Sequence, residues 1–430
     1  MRALVACVIL VAAVRCGADT LYVDAKASAE GLRTFRLLQT AIDAAYDGDT
    51  LIIMPGRYEA SPSPLAEELC GNCETHGTRV QATYGFIVQG KSLDLVGSGA
   101  AETILVTNAG YGVLFDGCAW ATISDFTITG GVRDGDGAAT DAAIVVRESF
   151  VTIRNTEIRD NTDRHENVVV GIGGIIGREG AHIVAVGNTI DNNGWDGMAL
   201  YRGATAFASD NSITRGRGAG IGVTWDSAAT LLRNRISEYW KGIGSFGSSR
   251  VIARNNEIFD NLGWGIVATG TSTMEAMNNV VCRNGNCGVA LWSDEASLIL
   301  VNNIITENGW REEWVCPPVG LWMNGEASRL EARHNDVWGN REGDYLGLDD
   351  LTGASGNISL RPLFADSLDF SLLPGSACID AGDPRTTDRD GTPADLGSAG
   401  GPGGPPQGRC VGRRPGARGA GMPAEVFLDW

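Results

Sequence analysis

Gly197-Met-Ala-Leu, Gly220-Ile-Gly-Val, Gly242-Ile-Gly-Ser, Gly265-Ile-Val-Ala, Gly288-Val-Ala-Leu and Gly320-Leu-Trp-Met are versions of one tetrapeptide, spaced 23, 22, 23, 23 and 32 residues apart. Upstream, Gly174-Ile-Ile-Gly, Ala143-Ile-Val-Val and Gly112-Val-Leu-Phe extend the series at intervals of 23, 31 and 31. An asparagine column keeps step: Asn188, Asn211, Asn234, Asn256, Asn279, Asn303 and Asn335. Self-similarity at such a period marks a solenoid, whose single repeats are too small to bury their own apolar faces. Gly, Asn and β-branched residues are too dense for paired helices, and no window keeps helical apolar spacing over three turns. The fold expected is all-β: a right-handed, single-stranded parallel β-helix with an N-terminal cap helix.

Within one repeat, Ile221 and Val223 alternate inward and Gly222 points out, following the two-residue strand period. Rungs about 4.8 Å apart place each column position over its counterpart, so nine repeats make a stack on the order of 40 Å long. The asparagines suit a left-handed turn position, and their amides suit a ladder along the axis.

Outside the repeats the chain divides further. Residues 1–18 read as a secretory signal peptide: Arg2, an apolar run from Leu4 to Val14, then Cys16-Gly-Ala. Residues 19–79 read as the N-terminal cap and first strands, with an amphipathic helix over Thr34 to Tyr46 presenting Leu37, Leu38, Ile42 and Ala45. Residues 80–345 hold the β-helix repeats, 346–397 a C-terminal cap, and 398–430 a Gly/Pro/Arg-rich tail expected to be disordered. Formal net charge is -18, which argues against nucleic acid or an anionic membrane as partner. No run is long enough to span a bilayer, so an exported monomer, secreted or periplasmic, is expected. Eight cysteines follow the signal segment. Cys70-Gly-Asn-Cys73 with His76 suits a disulfide better than zinc; Cys282, Cys287 and Cys316 fall near neighbouring rungs; Cys378 is paired with Cys410 as a C-terminal staple.

The stretch LQTAIDAAYDGDTLIIMPGRYE, together with the glycine and asparagine columns, resembles the pectin-lyase-like right-handed β-helix proteins over roughly residues 21–395. That resemblance implies the fold. It leaves activity open, since such proteins include lyases, hydrolases, epimerases and members without known catalysis.

Three repeats carry insertions just before the Gly-led strand: 132–141, 161–170 and 310–319. Insertions at one corner typically build a solenoid's binding face. Beyond that strand come Arg147 and Glu148, Arg178 and Glu179, Tyr201 and Arg202, Trp225 and Asp226, Phe246, then Trp292 with Asp294. Aromatics stack on sugar rings and arginines grip carboxylates, so these are candidate substrate-binding residues for an acidic polysaccharide. The plain alternative is a solvated ladder of ion pairs. In the second insertion, Asp163-Arg164-His165-Glu166 partly resembles the Asp-Pro-His-Asp signature of mannuronan epimerases. The resemblance makes Asp163, His165 and Arg178 candidate catalytic residues. Asp134, Asp136 and Asp141, and separately Asp383, Asp388 and Asp390, are candidate oxygen ligands for calcium.

The residues expected to point out from the Gly-led strand are Val145, Ile176, Ala199, Gly222, Gly244, Val267, Ala290 and Trp322, none ionisable. A smooth face favours polysaccharide binding over turnover. A lyase or C5-epimerase acting on uronate residues, and a non-catalytic structural solenoid, remain as alternatives.

Overall fold

The computed structural model describes residues 17–63, 66–69, 79–293, 295–312, 315–325 and 329–405. Three long parallel sheets wrap one core, each strand lying in register on the strand one coil earlier. The first sheet has 13 strands, from Thr34–Phe35 to Arg329–Arg333. The Gly-led sheet has 11, from Tyr84–Gln89 to Tyr345–Leu346, and a third, also of 11, runs from Gly56–Glu59 to Asp336–Trp338. A hairpin of Ala66–Leu69 with Arg79–Ala82 is the one antiparallel sheet among the described residues. The fold is a right-handed parallel β-helix, and Ile221 pairs with Met198 and Ile243 in adjacent coils as the repeat spacing requires.

The interior is a continuous apolar column. Ile221, Val223, Leu231 and Ile236 from one coil are fully buried among their counterparts above and below. The asparagine column is also fully interior. Asn234 donates to the Ala208 carbonyl at 2.9 Å and to Asn256 Oδ1 at 2.9 Å, while its own oxygen accepts from Asn211 at 2.9 Å. The ladder runs from Asn188 to Asn335 and ends on Asn357. The left-handed residue at this corner is the one before each asparagine: Gly187, Asp210, Arg233, Asn255, Asn278, Asn302 and His334. Asparagine therefore occupies the column for its amide, which satisfies two buried neighbours, and the turn strain falls on its predecessor.

A second ladder links Asn161 to Asn193 and Asn261 through Asn284 and Asn308 to Asn340. Between its two parts, Gly216 and Tyr239 replace asparagine. A Cβ at Gly216 would lie 2.1 Å from the Tyr239 ring, so only glycine admits that ring. Tyr239 is fully buried and its hydroxyl has no hydrogen-bond partner.

The cap helix is shorter than the sequence suggests, Leu38–Ala44, because Thr34–Phe35 pairs as a strand with Thr20–Val23. Leu38, Ala41 and Ile42 face the core, whereas Leu37 stands 63 % exposed beside the first helical turn. At the other end, the chain after Leu346 closes the last coil and then runs back along the asparagine corner. Asn302 accepts from the Asp383 amide at 2.8 Å, Asn278 donates to the Asp395 carbonyl at 2.9 Å, and Asn255 donates to Gly400 at 2.6 Å. Arg233 reaches the Gly403 carbonyl at 3.3 Å. Residues 398–405, expected in a disordered tail, are thus docked on the stack. Residues 1–16, Cys70, Cys73, His76 and Cys410 lie outside the described residues, and Cys378 donates to Asp336 Oδ2 at 3.2 Å.

Replacing Asn234 with alanine strands buried groups on both neighbouring coils. Asn234→Ala should cost about 3 kcal/mol, whereas exposed Asn167→Ala should stay within about 0.5 kcal/mol. Denaturant midpoints of the two variants check this.

Candidate functional site

Three outward columns of side chains cross the Gly-led sheet. The middle column contains Val145, Ile176, Ala199, Val267 and Ala290, expected to form an open smooth face. Every one of them is buried. At the early coils Ala82 of the hairpin and Ala139 of the first insertion join Tyr111 and Leu114 of the same sheet in an apolar cluster with Val145 and Ile176. At the late coils Trp264, Cys287, Cys316 and Val319 cover Val267 and Ala290. The insertions therefore form two apolar roofs, and between them lies a saddle floored by Ala219, Gly222 and Gly244.

The leading column, one residue before each tetrapeptide, supplies the saddle's chemistry. Register places Tyr111, Ala142 and Gly173 on its early coils, and Ala219, Lys241 and Trp264 later; Asp196 stands between Gly173 and Ala219. Asp196 is 8 % exposed and accepts the Ala219 amide at 2.6 Å. A Cβ at Gly218 would lie 2.0 Å from its carboxylate oxygen, which explains that glycine. Burial raises the Asp196 carboxyl to about 6, although the Ala219 amide and Lys241 act in the other direction. Burial likewise lowers the Lys241 ammonium, and Asp196 partly restores it. Lys241 Nζ stands 4.8 Å from the Phe246 ring centre, across Gly244. The Tyr201 hydroxyl is raised by burial and by Asp196. On the same border, burial and the nearby Arg164 lower the Arg217 guanidinium.

Asp196 and Lys241 are absent from the residues expected on sequence grounds, because strand alternation alone marks the third residue of each tetrapeptide as the outward one. The signal was present one residue upstream. Along Tyr111, Ala142, Gly173, Asp196, Ala219, Lys241, Trp264, Cys287 and Val319, a carboxylate and an ammonium interrupt small and apolar residues.

The trailing border holds most of the expected binding residues. Asp116 accepts from Gln89 at 2.9 Å and from Arg147 at 2.8 Å, which holds its carboxyl below the ordinary value against the opposing effect of burial. Arg178 is fully buried, 5.6 Å from the Tyr111 ring centre and 3.4 Å from Glu179. Glu179 also pairs with Arg202, whose guanidinium lies 5.9 Å from the Trp225 ring centre. Tyr201 and Trp225 rings meet at 5.6 Å, and Asp226 accepts the Gly203 amide at 2.7 Å. Glu148 is exposed in a left-handed turn. Trp292 is 36 % exposed and stacks on Trp264 at 5.6 Å. Much of this border is an ion-pair ladder, with Tyr201, Arg202 and Trp225 grouped at the saddle; Asp294 lies outside the described residues.

Asp163 and His165 do not meet Arg178. Asp163 accepts the Arg133 amide at 3.0 Å, and the His165 ring lies against Gly135 in the first insertion. Arg178 ends the strand Gly173–Arg178, at the opposite end from the insertion that carries Asp163 and His165. The candidate calcium ligands are engaged by protein donors. Asp134 accepts from the Thr83 amide and hydroxyl at 2.8 Å each, and Asp136 from the Gln81 amide at 3.0 Å. Buried Asp141 pairs with Arg133 and accepts the Asp134 amide at 2.7 Å. Asp383 pairs with Arg333 and Arg385, while Asp388 and Asp390 accept from backbone amides nearby. Among the described residues no group of three or more His, Cys, Asp or Glu stands ready to hold a metal ion.

Residues 173–337 match the family model of the right-handed β-helix region. Among curated proteins none matches the sequence. Among solved structures, the pectate lyase Pel9A is similar over 88 % of this chain and 96 % of its own, at 13 % identity and a TM-score of 0.50. The A-module of the mannuronan C-5 epimerase AlgE6 from Azotobacter vinelandii aligns over 76 % of this chain and 94 % of its own, at 16 % identity and a TM-score of 0.46. The likeness to Pel9A shows the fold alone.

The raised Asp196 carboxyl sets a pH dependence with a definite sign. Folding favours its neutral form, so stability falls as pH rises from 3.8 toward about 6. That rise corresponds to about 3 kcal/mol. Asp196→Asn should remove this decline, read as the difference between wild-type and variant denaturant midpoints at pH 4 and pH 7.

Proposed function

We propose that this protein engages an acidic polysaccharide across the saddle between its two apolar roofs. The observation that carries the reading is the placement of a buried carboxylate, Asp196, and an ammonium, Lys241, two coils apart in the leading column of the outward face. Lys241 and Arg217 stand on the leading border and Arg202 on the trailing one, so cations flank the floor from both sides. Trp225 and Tyr201 add ring faces beside Arg202, a combination suited to a sugar that carries a carboxylate. Ala219 and Gly222 add almost no side chain to the floor, and the Phe246 ring lies over Gly244.

Asp196 and Lys241 also favour a second reading, proton-transfer chemistry on uronate residues of lyase or epimerase type. A lysine whose ammonium burial holds below its ordinary value is a candidate base for taking a proton from the carbon next to a sugar carboxylate. Arg202 or Arg217 would hold that carboxylate and stabilise the charge that develops on it. Loss of a leaving group gives elimination; return of a proton to the opposite face gives epimerisation.

Proton NMR of polyuronate and neutral glucan oligomers with the full chain tests both readings. Line broadening confined to the uronates, with affinity reduced at least tenfold in Lys241→Met, is expected for binding. New unsaturated or altered anomeric signals, lost in Lys241→Met, would mark catalysis. Equal behaviour of neutral and acidic oligomers would sink the proposal.

A further inference from the structure

Of the five described cysteines, three stand apart from other thiols. Cys118 donates to the Val88 carbonyl at 3.2 Å, Cys282 accepts from Arg283 at 3.4 Å, and Cys378 donates to Asp336. The other two meet sulfur to sulfur: Cys287 Sγ and Cys316 Sγ are 3.0 Å apart. Cys287 belongs to the leading column of the Gly-led sheet, while Cys316 comes from the third insertion and folds down over it. The Cys287 amide also points at Cys316 Sγ, at 3.5 Å. Both side chains are closed off from solvent, at 0 % and 1 % exposure, within the apolar roof of Trp264, Val267, Ala290 and Val319.

We propose that Cys287 and Cys316 form a disulfide that fastens the third insertion onto the Gly-led sheet. A cystine needs its sulfurs at about 2.05 Å, so closure asks for a movement of about 1 Å. Small rotations of the two side chains suffice. The span of 29 residues between them contains a whole coil and the start of the insertion, so the bond would tie loop to scaffold across the coil boundary. Buried single cysteines serve as small apolar fillers. Two thiols brought into mutual contact, one on the sheet and one on the loop that folds over it, serve a different end.

The chemistry balances with a small-molecule disulfide, such as glutathione disulfide, as oxidant. One protein thiolate attacks that disulfide and releases the first small thiol. The second protein thiolate then attacks the mixed disulfide and releases the other. Two protein thiols become one cystine, and one external disulfide becomes two thiols. Burial pushes the Cys287 thiol well above its ordinary value, so the closed protein presents almost no thiolate there. The bond therefore forms while the insertion is still open, during folding, and is shielded from reductants afterwards.

The fastening matters for the late wall of the saddle. Trp264 stacks on Trp292 at 5.6 Å, Trp292 meets Trp322 at 6.1 Å, and Trp240 packs edge-on against Trp264 at 5.8 Å. The insertion adds Arg311 over the Trp240 ring at 5.3 Å. Holding Cys316 down keeps this aromatic group closed over the sheet. The inference concerns the covalent state of the wall and stands whether or not a polysaccharide binds there.

The test is a peptide map. The full chain is unfolded with reductant, refolded in a reduced and oxidised glutathione buffer, denatured again with a maleimide label, and digested without reductant. The expected result is a peptide joining Cys287 to Cys316, with Cys118, Cys282 and Cys378 labelled. Labelled Cys287 and Cys316, or a link from either to another cysteine, would overturn the proposal. Tryptic cleavage after Arg311 in the native protein reports the fastening. It should be at least tenfold faster in C287S/C316S than in the oxidised protein, and equal rates would refute the fastening. Should that variant fail to fold, the peptide map decides alone.

Discussion

Each buried asparagine amide of the main column, from Asn188 to Asn335, is satisfied by the asparagine directly above it in the next coil, and the rest of this molecule follows from that demand. Asn211, Asn234 and Asn256 each give one hydrogen to a carbonyl of the preceding coil and one to the next asparagine. An unsatisfied amide in this interior would cost about 1–3 kcal/mol, so coil length at the corner cannot drift. Extra residues are admitted only where they leave the ladder untouched. The three insertions obey this rule, entering together before the Gly-led strand. The constraint that fixes the scaffold thereby also selects the sheet that becomes elaborated.

The columns made the scaffold legible in the sequence, because each coil repeats the same burial problem and solves it with the same residue types. Gly220, Ile221 and Asn234 could be read as glycine turn, core and ladder without coordinates. The second ladder escaped notice, since Gly216 and Tyr239 break it at the middle coils. The covered face escaped for a different reason. Periodicity tells that Val145 and Ile176 point away from the core, but says nothing of a loop that returns to lie on them. Tertiary cover of that kind has no repeat, so no column announces it. The candidate site suffered from both limits. Tyr201, Arg202 and Trp225 were found because they follow the strands, whereas Asp196 and Lys241 precede the glycine.

The saddle concentrates charge where the fold makes charge expensive. Asp196 is buried, and burial raises its carboxyl to about 6, with Lys241, two coils along the column, opposing that rise only in part. Buried ionisable groups of this kind add little to stability compared with apolar residues of the same size, and their retention needs another reason. The surrounding coils underline the point, because the same column elsewhere carries alanine, tryptophan, cysteine or valine. The chain as a whole has net charge -18, so an acidic ligand would meet repulsion at long range. At physiological salt the screening length is about 8 Å, so close to the sheet Arg202, Arg217 and Lys241 outweigh the distant carboxylates. Recognition would then depend on contact with the saddle and little on steering from afar.

The returning C-terminal segment shows how the corner's strained residues are put to use. Asn255, Asn278 and Asn302 occupy left-handed turns, a geometry asparagine tolerates better than most residues. Their side chains point away from the core, because the inward place is filled by the ladder asparagine that follows. Left in water they would gain little. Instead, Asn255 and Asn278 donate to the carbonyls of Gly400 and Asp395, and Asn302 accepts the Asp383 amide, so a segment with almost no secondary structure finds partners for its backbone. The doublets Asn255-Asn256, Asn278-Asn279 and Asn302-Asn303 thus divide two tasks between like residues: the second closes the stack inside, and the first docks the segment outside. Earlier coils carry Gly187, Asp210 and Arg233 at the docking position, and the asparagine contacts with the segment stop at Asn255.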